Sequence, residues 1–321
     1  MVRHALCFPD VTAGRPRRSA IVSQMTFDAR VLLARRLRFL PDRPFAIAKH
    51  ALFQGELTTL RNPVTWSQLL AAKNLREQDP VVHQTSDKYA VREYVAEKVG
   101  EDYLIPLYQV VDNAADLDFD AIPGPCVIKG THGCDMTVLV PDLAAADRAA
   151  IRETVRRWLG TDFYKAGWRE TPYRGLKPRA VVEQFIGTPT GDAPTDYKFF
   201  MFGGVPGMVV VDQDRFTGHT STMLTPEWRQ YDISGRFAFA EKLPEQPANY
   251  AEMLDVAKAL SAEFAFARID LYNVDGKIYF GEITHNPGGG LVRLQPREFD
   301  RALGDMWRHG TPVPERFVAK N

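Results

Sequence analysis

Residues 266–290 read FARIDLYNVDGKIYFGEITHNPGGG. Two runs rich in β-branched and aromatic residues, 266–273 and 277–284, flank the turn signal Val274-Asp275-Gly276. They predict a β-hairpin followed by a glycine-rich loop. Side chains two apart share a strand face, so Arg268 lies with Asp270, and Glu282 with Thr284. Two carboxylates on neighbouring strands suit a hard cation such as Mg2+, which takes one or two carboxylates together with water and phosphate oxygens. Arg268 beside them suits a phosphate charge. The competing reading is a solvated hairpin with a surface ion pair. Register separates the two. Asp270 and Glu282 are an even number of residues apart, so a two-residue turn at Asp275-Gly276 puts them on opposite faces. They meet only through an odd loop, such as three residues with Gly276 at positive φ, or through a bulge.

The 321-residue chain can bury one large core or two to three smaller ones. Its 45% hydrophobic and 25% charged content is ordinary for a globular protein, and a formal net charge of zero gives the whole chain no nucleic-acid footprint. The charge is unevenly placed. Residues 1–50 hold ten Lys and Arg against Asp10, Asp28 and Asp42. Such a segment suits peripheral contact with a membrane surface or an acidic partner, or a solvated helix face. Cys7, Cys126 and Cys134 are odd in number and lack metal-ligand spacing, which fits free thiols in a reducing cytoplasm. The run 199–211 is broken by glycine and proline, and Pro9, Asp10 and Gly14 interrupt any secretory signal. The expected location is cytoplasmic.

Residues 1–20 read as a disordered basic terminus and 21–85 as a helical segment, with Thr65 as the cap of a helix reaching Leu75. Ser86 or Asp87 caps a further helix over 88–99, ended by Gly100. Strands are expected over 103–111, 126–130, 137–140 and 179–186, with a helix over 143–159 between the last two. A hairpin over 195–211 turns at Gly203-Gly204, and a helix over 250–264 leads into the opening hairpin. Residues 212–235 read as a long polar loop, a form often functional. The fold class is α+β.

Lys129 ends a strand and runs into a loop of glycine, hydroxyl and imidazole groups, Gly130-Thr131-His132-Gly133, a setting for phosphate or for an ordinary surface turn. No P-loop or G-x-G-x-x-G pattern is present. Glu183 is a charged residue inside an apolar strand; with the backbone of Gln184, Phe185 and Ile186 it suits an adenine, or else an edge facing water. Asp196 and Lys198 share a face, suiting a ribose and a phosphate, or a cross-strand pair.

In this order these residues resemble the ATP-grasp superfamily, and the hairpin resembles the metal-binding hairpin of D-alanine–D-alanine ligases. The closer resemblance is to the TupA-like ATP-grasp family, named for a teichuronopeptide biosynthesis protein. It is carried by NPVTWSQLLAAKNLREQDP, SDKYAVREYVAEKVGEDYLIPLY, IKGTHG, DYKFFMFGG, DQDRFTGHT and RIDLYNVDGKIYFGEIT, in order over roughly residues 60–292. The resemblance implies an ATP-grasp domain over 86–300 with a lid near 125–187, the nucleotide between two antiparallel sheets, and a tail over 301–321. It implies that Lys88, Lys129 and the loop residues Thr131, His132 and Gly133 contact ATP phosphates. Glu183 with Gln184–Ile186 would hold adenine and Asp196 the ribose. Lys198 and Arg268 would neutralise the transferred phosphate as the catalytic residues. Asp270, Glu282 and Thr284 would hold Mg2+, or Mn2+ in its place. Thr284 stands where D-alanine ligases carry Asn, and Asp135 stands where the loop usually ends in glycine. The implied activity is an ATP-dependent carboxylate–amine ligase acting through an acyl-phosphate. A small-molecule or saccharide carboxylate and an amine acceptor are the partners, in cell-surface polysaccharide or peptide-conjugate biosynthesis. Arg215 and His219 are the candidates for substrate recognition. The alternatives are a kinase on the same fold, a sugar-nucleotide glycosyltransferase whose carboxylates hold Mn2+ and a diphosphate, and a non-catalytic nucleotide-binding module.

Overall fold

Side-chain caps set the helical start of the chain. The computed structural model describes residues 26–187, 194–213, 219–233, 240 and 242–320, so the terminus over 1–20 lies outside it. Helix α1 (Phe27–Arg36) is capped by Thr26, whose hydroxyl accepts from Ala29 N, and α2 (Asp42–Gln54) ends at Gly55 with φ 75°. Thr65 caps α3 (Trp66–Arg76) by accepting from Gln68 N, as its position predicts. Asp79 and Pro80 open a further helix, α4 (Pro80–Ser86). The helix expected over 88–99 starts later, as α5 (Val91–Lys98). The Asp87 carboxylate accepts from Tyr89 N and Ala90 N, which holds residues 87–90 in a turn.

Two antiparallel sheets follow. The first has the order β1 (Leu107–Val111), β4 (Ala180–Gln184), β2 (Cys126–Gly130), β3 (Thr137–Val140). Helix α6 (Arg148–Leu159) buries Ile151 and Val155 against Cys126, Ile128 and Val182 of that sheet, and the short α7 (Phe163–Ala166) comes after it. The second sheet has the order β7 (Thr220–Leu224), β6 (Val205–Gln213), β5 (Asp196–Phe202), β8 (Ala267–Val274), β9 (Lys277–Thr284). The polar loop expected over 212–235 therefore contains an edge strand, β7, paired to β6.

The alternation of β5 places the chemistry. Tyr197, Phe199 and Met201 face one core, with Met253, Ala257 and Leu260 of α8 (Tyr250–Ser261) and Tyr94 and Val95 of α5. Phe200 and Phe202 face the other, with Trp66 and Leu70 of α3 and Phe299 and Leu303 of α9 (Arg297–His309). Asp196 and Lys198 continue that second face beyond the aromatic residues and are buried too. Among the described residues no helix is long and apolar enough to cross a membrane.

Helices α3 and α9 meet closely. Asp300 accepts from Ser67 N at 2.9 Å and Ser67 Oγ at 2.7 Å, and a Cβ on Gly304 would fall 2.1 Å from Val64 O. Backbone cannot yield as a flexible side chain does. Gly304→Ala is expected to destabilise the protein by about 1–3 kcal/mol, read from urea denaturation.

Candidate active site

The hairpin closes with a two-residue turn. Val274 pairs with Lys277, and Asp275 and Gly276 both have positive φ, 52° and 82°. That turn alone would put Asp270 opposite residue 281. A bulge at Gly281 changes the register, so that Leu271 pairs with Phe280 but Asp270 with Glu282 and Arg268 with Thr284. Of the two routes to opposed carboxylates, the protein takes the bulge and not the three-residue loop. Glycine eases the bulge, because a Cβ would lie 3.0 Å from Asp270 O, a tight contact with backbone.

Lys198 on β5 pairs across the ladder with Asp270, so one sheet face carries Lys198, Asp270 and Glu282 in a row. The Arg268 guanidinium donates to both Asp270 oxygens at 2.6 Å and to Glu282 Oε1 at 2.8 Å. Thr284 Oγ1 donates to Glu282 Oε1 at 2.7 Å. Lys198 Nζ contacts Asp196 and lies 3.4 Å from Asp212 and 3.5 Å from Asp270. Burial raises the Asp270 carboxyl, and Arg268 and Lys198 oppose that rise. Burial also pushes Glu282 up, but the charges of Lys88 and Arg268 outweigh it and hold Glu282 at about 2. Burial alone would lower Lys198; Asp196 and Asp270 raise it instead. Asp212 is a member of this cluster that its sequence context hid, since it lies next to last in β6, where a loop was expected. It faces Asp196 across the ladder, and His219 Nε2 lies 3.6 Å from its carboxylate. Arg215 lies outside the described residues.

On the first sheet, Lys129 Nζ donates to Glu183 at 2.8 Å, and Arg92 adds a second cation at 3.1 Å. Glu183 is thus a buried, paired carboxylate rather than an edge facing water. Gln184 N and Phe185 N donate to Pro106 O and Pro125 O. Lys88 Nζ donates to Gly133 O at 2.6 Å, which ties the helical segment to the loop after β2. The Thr131 and His132 side chains turn inward. Thr131 Oγ1 donates to Asp87 at 3.0 Å, and His132 Nε2 to Trp158 O at 3.0 Å. Asp135 has φ 59°, the region glycine prefers, so the loop keeps a left-handed residue at its end without one. Lys88, Tyr173, Gly281 and Glu282 line one small cavity, which brings the turn between α4 and α5 to the hairpin of the second sheet.

A second buried group stands nearby. Glu170 is 5% exposed, and its carboxylate accepts from Asn286 Nδ2 at 3.3 Å. Lys49 Nζ, also buried, donates to Trp168 O at 3.2 Å and Gly289 O at 3.0 Å. Burial pushes Glu170 from its ordinary 4.5 up to about 7; Lys49 and Asn286 oppose this, and Asp135 and Glu282 reinforce it. Between those pH values the folded chain keeps a proton that the unfolded chain loses, so this group's contribution falls as pH rises through the window. Lys49 is lowered to about 8, chiefly by burial, so its own titration lies higher. Glu170→Gln is expected to remove a loss of up to about 3 kcal/mol between about pH 4.5 and 7. Urea denaturation at the two ends of that window reads it.

The hairpin's donors are hard oxygens. Among the described residues no three His, Cys, Asp or Glu side chains converge as a self-contained cation cage. Asp270 and Glu282, opposed across the ladder with the Thr284 hydroxyl beside Glu282, fit Mg2+ that takes its remaining ligands from phosphate and water.

The sequence model of the family described as TupA-like ATPgrasp matches residues 67–308. Among solved structures, D-alanine–D-alanine ligase from Bacillus anthracis complexed with ATP is 17% identical, with a TM-score of 0.40 over 64% of this chain and 55% of that one. L-amino acid ligase from Bacillus licheniformis is 17% identical, with a TM-score of 0.41 over 84% of this chain and 57% of that one. N5-carboxyaminoimidazole synthetase from Staphylococcus aureus complexed with ADP is 11% identical, with a TM-score of 0.42 over 64% of this chain and 46% of that one. The chain therefore spans little more than half the length of the two ligases. No curated protein matches it.

Proposed function

Because the chain belongs to the TupA-like ATP-grasp family, we propose that it is an ATP-dependent carboxylate–amine ligase working through an acyl-phosphate. Its acid is a uronic or amino acid used in cell-surface polysaccharide or peptide-conjugate assembly. The observation that carries the reading is the register of the hairpin, which sets Asp270 and Glu282 side by side with Arg268 and Lys198 on one face, Asp270 and Lys198 buried and the other two half-buried. Such a face serves phosphoryl transfer, in which a protein acts mainly by positioning and by neutralising charge. Asp270, Glu282 and Thr284 would hold Mg2+, which supplies further neutralisation of the phosphate oxygens when bound. Arg268 and Lys198 bind the transferred phosphate. Lys88 and Lys129 hold the rest of the triphosphate, Glu183 with the 184–186 backbone holds adenine, and Asp196 holds the ribose. Residues of about 125–187 act as a lid that excludes water from the acyl-phosphate. His219, beside Asp212, lies toward the acceptor.

Trapping with hydroxylamine tests this. With Mg-ATP and D-glucuronate, D-galacturonate or L-glutamate as the acid, the expected result is a hydroxamate formed together with ADP. A stable phosphorylated product that hydroxylamine does not capture would mean a kinase instead. ADP release unchanged by any acid would refute both.

A further inference from the structure

The geometry points to Glu170 and Asn286 as the subsite that binds the ammonium group of the amine substrate, a role that rests on the ligase reading above. Both side chains are 5% exposed. They come from segments more than a hundred residues apart and are held together by α2. There Lys49 bonds Trp168 O and Gly289 O, and Gln54 donates to Gly290 O at 3.3 Å and Val292 O at 2.9 Å. Among the described residues the Glu170 carboxylate accepts one hydrogen bond, the long one from Asn286, and no cation lies within ion-pair distance of it. Asn286 Oδ1 is buried with no partner among the described residues. Two acceptors with unused capacity therefore sit side by side. Burying such groups is costly unless a donor completes them. An ammonium group brings three donors and a positive charge. A carboxylate or phosphate would be repelled, which separates this subsite from those of the acid and the nucleotide.

The place is right for the second half of the reaction. Tyr173, three residues from Glu170, lines the same cavity as Glu282 and Lys88. Gly289, at φ 64°, packs against the pair, since a Cβ on it would stand 3.2 Å from the Trp168 ring and 3.6 Å from Glu170 Oε1. Asn286 follows two residues after Thr284, where β9 ends, so an amine held there stands next to the hairpin. Its nitrogen lone pair forms the C–N bond to the acyl carbon as the C–O bond to phosphate breaks, and the electron pair leaves with the phosphate. Of the ammonium's three protons, one passes to water before attack, one to the departing phosphate, and one stays on the amide.

Two nucleophiles separate this role from a structural one. At about pH 8, above the titration of Glu170, methylamine is still a cation while hydroxylamine is uncharged, so only the former needs an anionic subsite. With Mg-ATP and the acid that supports hydroxamate formation, kcat/KM is measured for both in wild type, Glu170→Gln and Asn286→Ala. The methylamine-to-hydroxylamine ratio is expected to fall about tenfold or more in Glu170→Gln and severalfold in Asn286→Ala. A general loss of structure lowers both together and leaves the ratio unchanged. An unchanged ratio, or a wild-type protein that captures hydroxylamine and never methylamine, overturns the subsite while the ligase reading stands. No hydroxamate with any acid removes both.

Discussion

Arg268→Met is expected to lower ATP-dependent acyl-phosphate formation by about a thousandfold or more, the scale set by removing an arginine that stabilises phosphoryl transfer. It is also expected to destabilise the protein by about 3–5 kcal/mol. Both effects share one cause. The guanidinium reaches Asp270 twice and Glu282 once, in a face that also holds Asp196 and Asp212. Without it, Asp270 and Glu282 lose the cation closest to both, on a face where Lys198 already serves Asp196 and Asp212. Arg268→Lys separates the effects. It keeps the charge but not the planar fork that grips both Asp270 oxygens. Most of the stability should return, and much less of the turnover. Urea denaturation and hydroxamate formation measure the two; wild-type turnover by the methionine variant would end the assignment of Arg268.

Asp270→Asn is expected to abolish the part of nucleotide stabilisation that depends on Mg2+. At about a hundred times its Kd, a ligand that binds only the folded state adds about 2.7 kcal/mol. Wild-type protein should gain on that scale from Mg-ATP and much less from ATP with a chelator. In the variant the two shifts should converge. The fold should survive, because Arg268 keeps Glu282 and Lys198 keeps Asp196. Thermal unfolding with each mixture is the measurement. A Mg2+-dependent shift in the variant as large as that of wild type would place the cation elsewhere.

Much of the hairpin was legible because its chemistry lies in one contiguous stretch, where strand periodicity fixes which side chains share a face. Its register was legible only as a condition, since nothing local tells whether Gly281 is paired or bulged. Strand β7 was hidden because Thr220, Ser221 and Thr222 are polar even where the fold buries them. Helix α4 carries an unread start signal in Asp79 and Pro80, while the Asp87 turn that separates it from α5 depends on a side chain choosing Tyr89 N and Ala90 N over a continuous helix. Glu170 could not be read at all. Its surroundings are drawn from α2, from residues 168–173 and from the loop after β9, and only tertiary packing joins them.

The bulge at Gly281 makes the hairpin sensitive to parity. Were Gly281 instead drawn into the ladder opposite Asp270, pairing would run uninterrupted, but Glu282 and Thr284 would turn over to the opposite side, away from Arg268 and Asp270. Deleting Gly281 would leave Glu282 next after Phe280 and still opposite Asp270. The extra residue and the bulge that absorbs it therefore go together: losing both keeps the acids aligned, and losing either alone parts them.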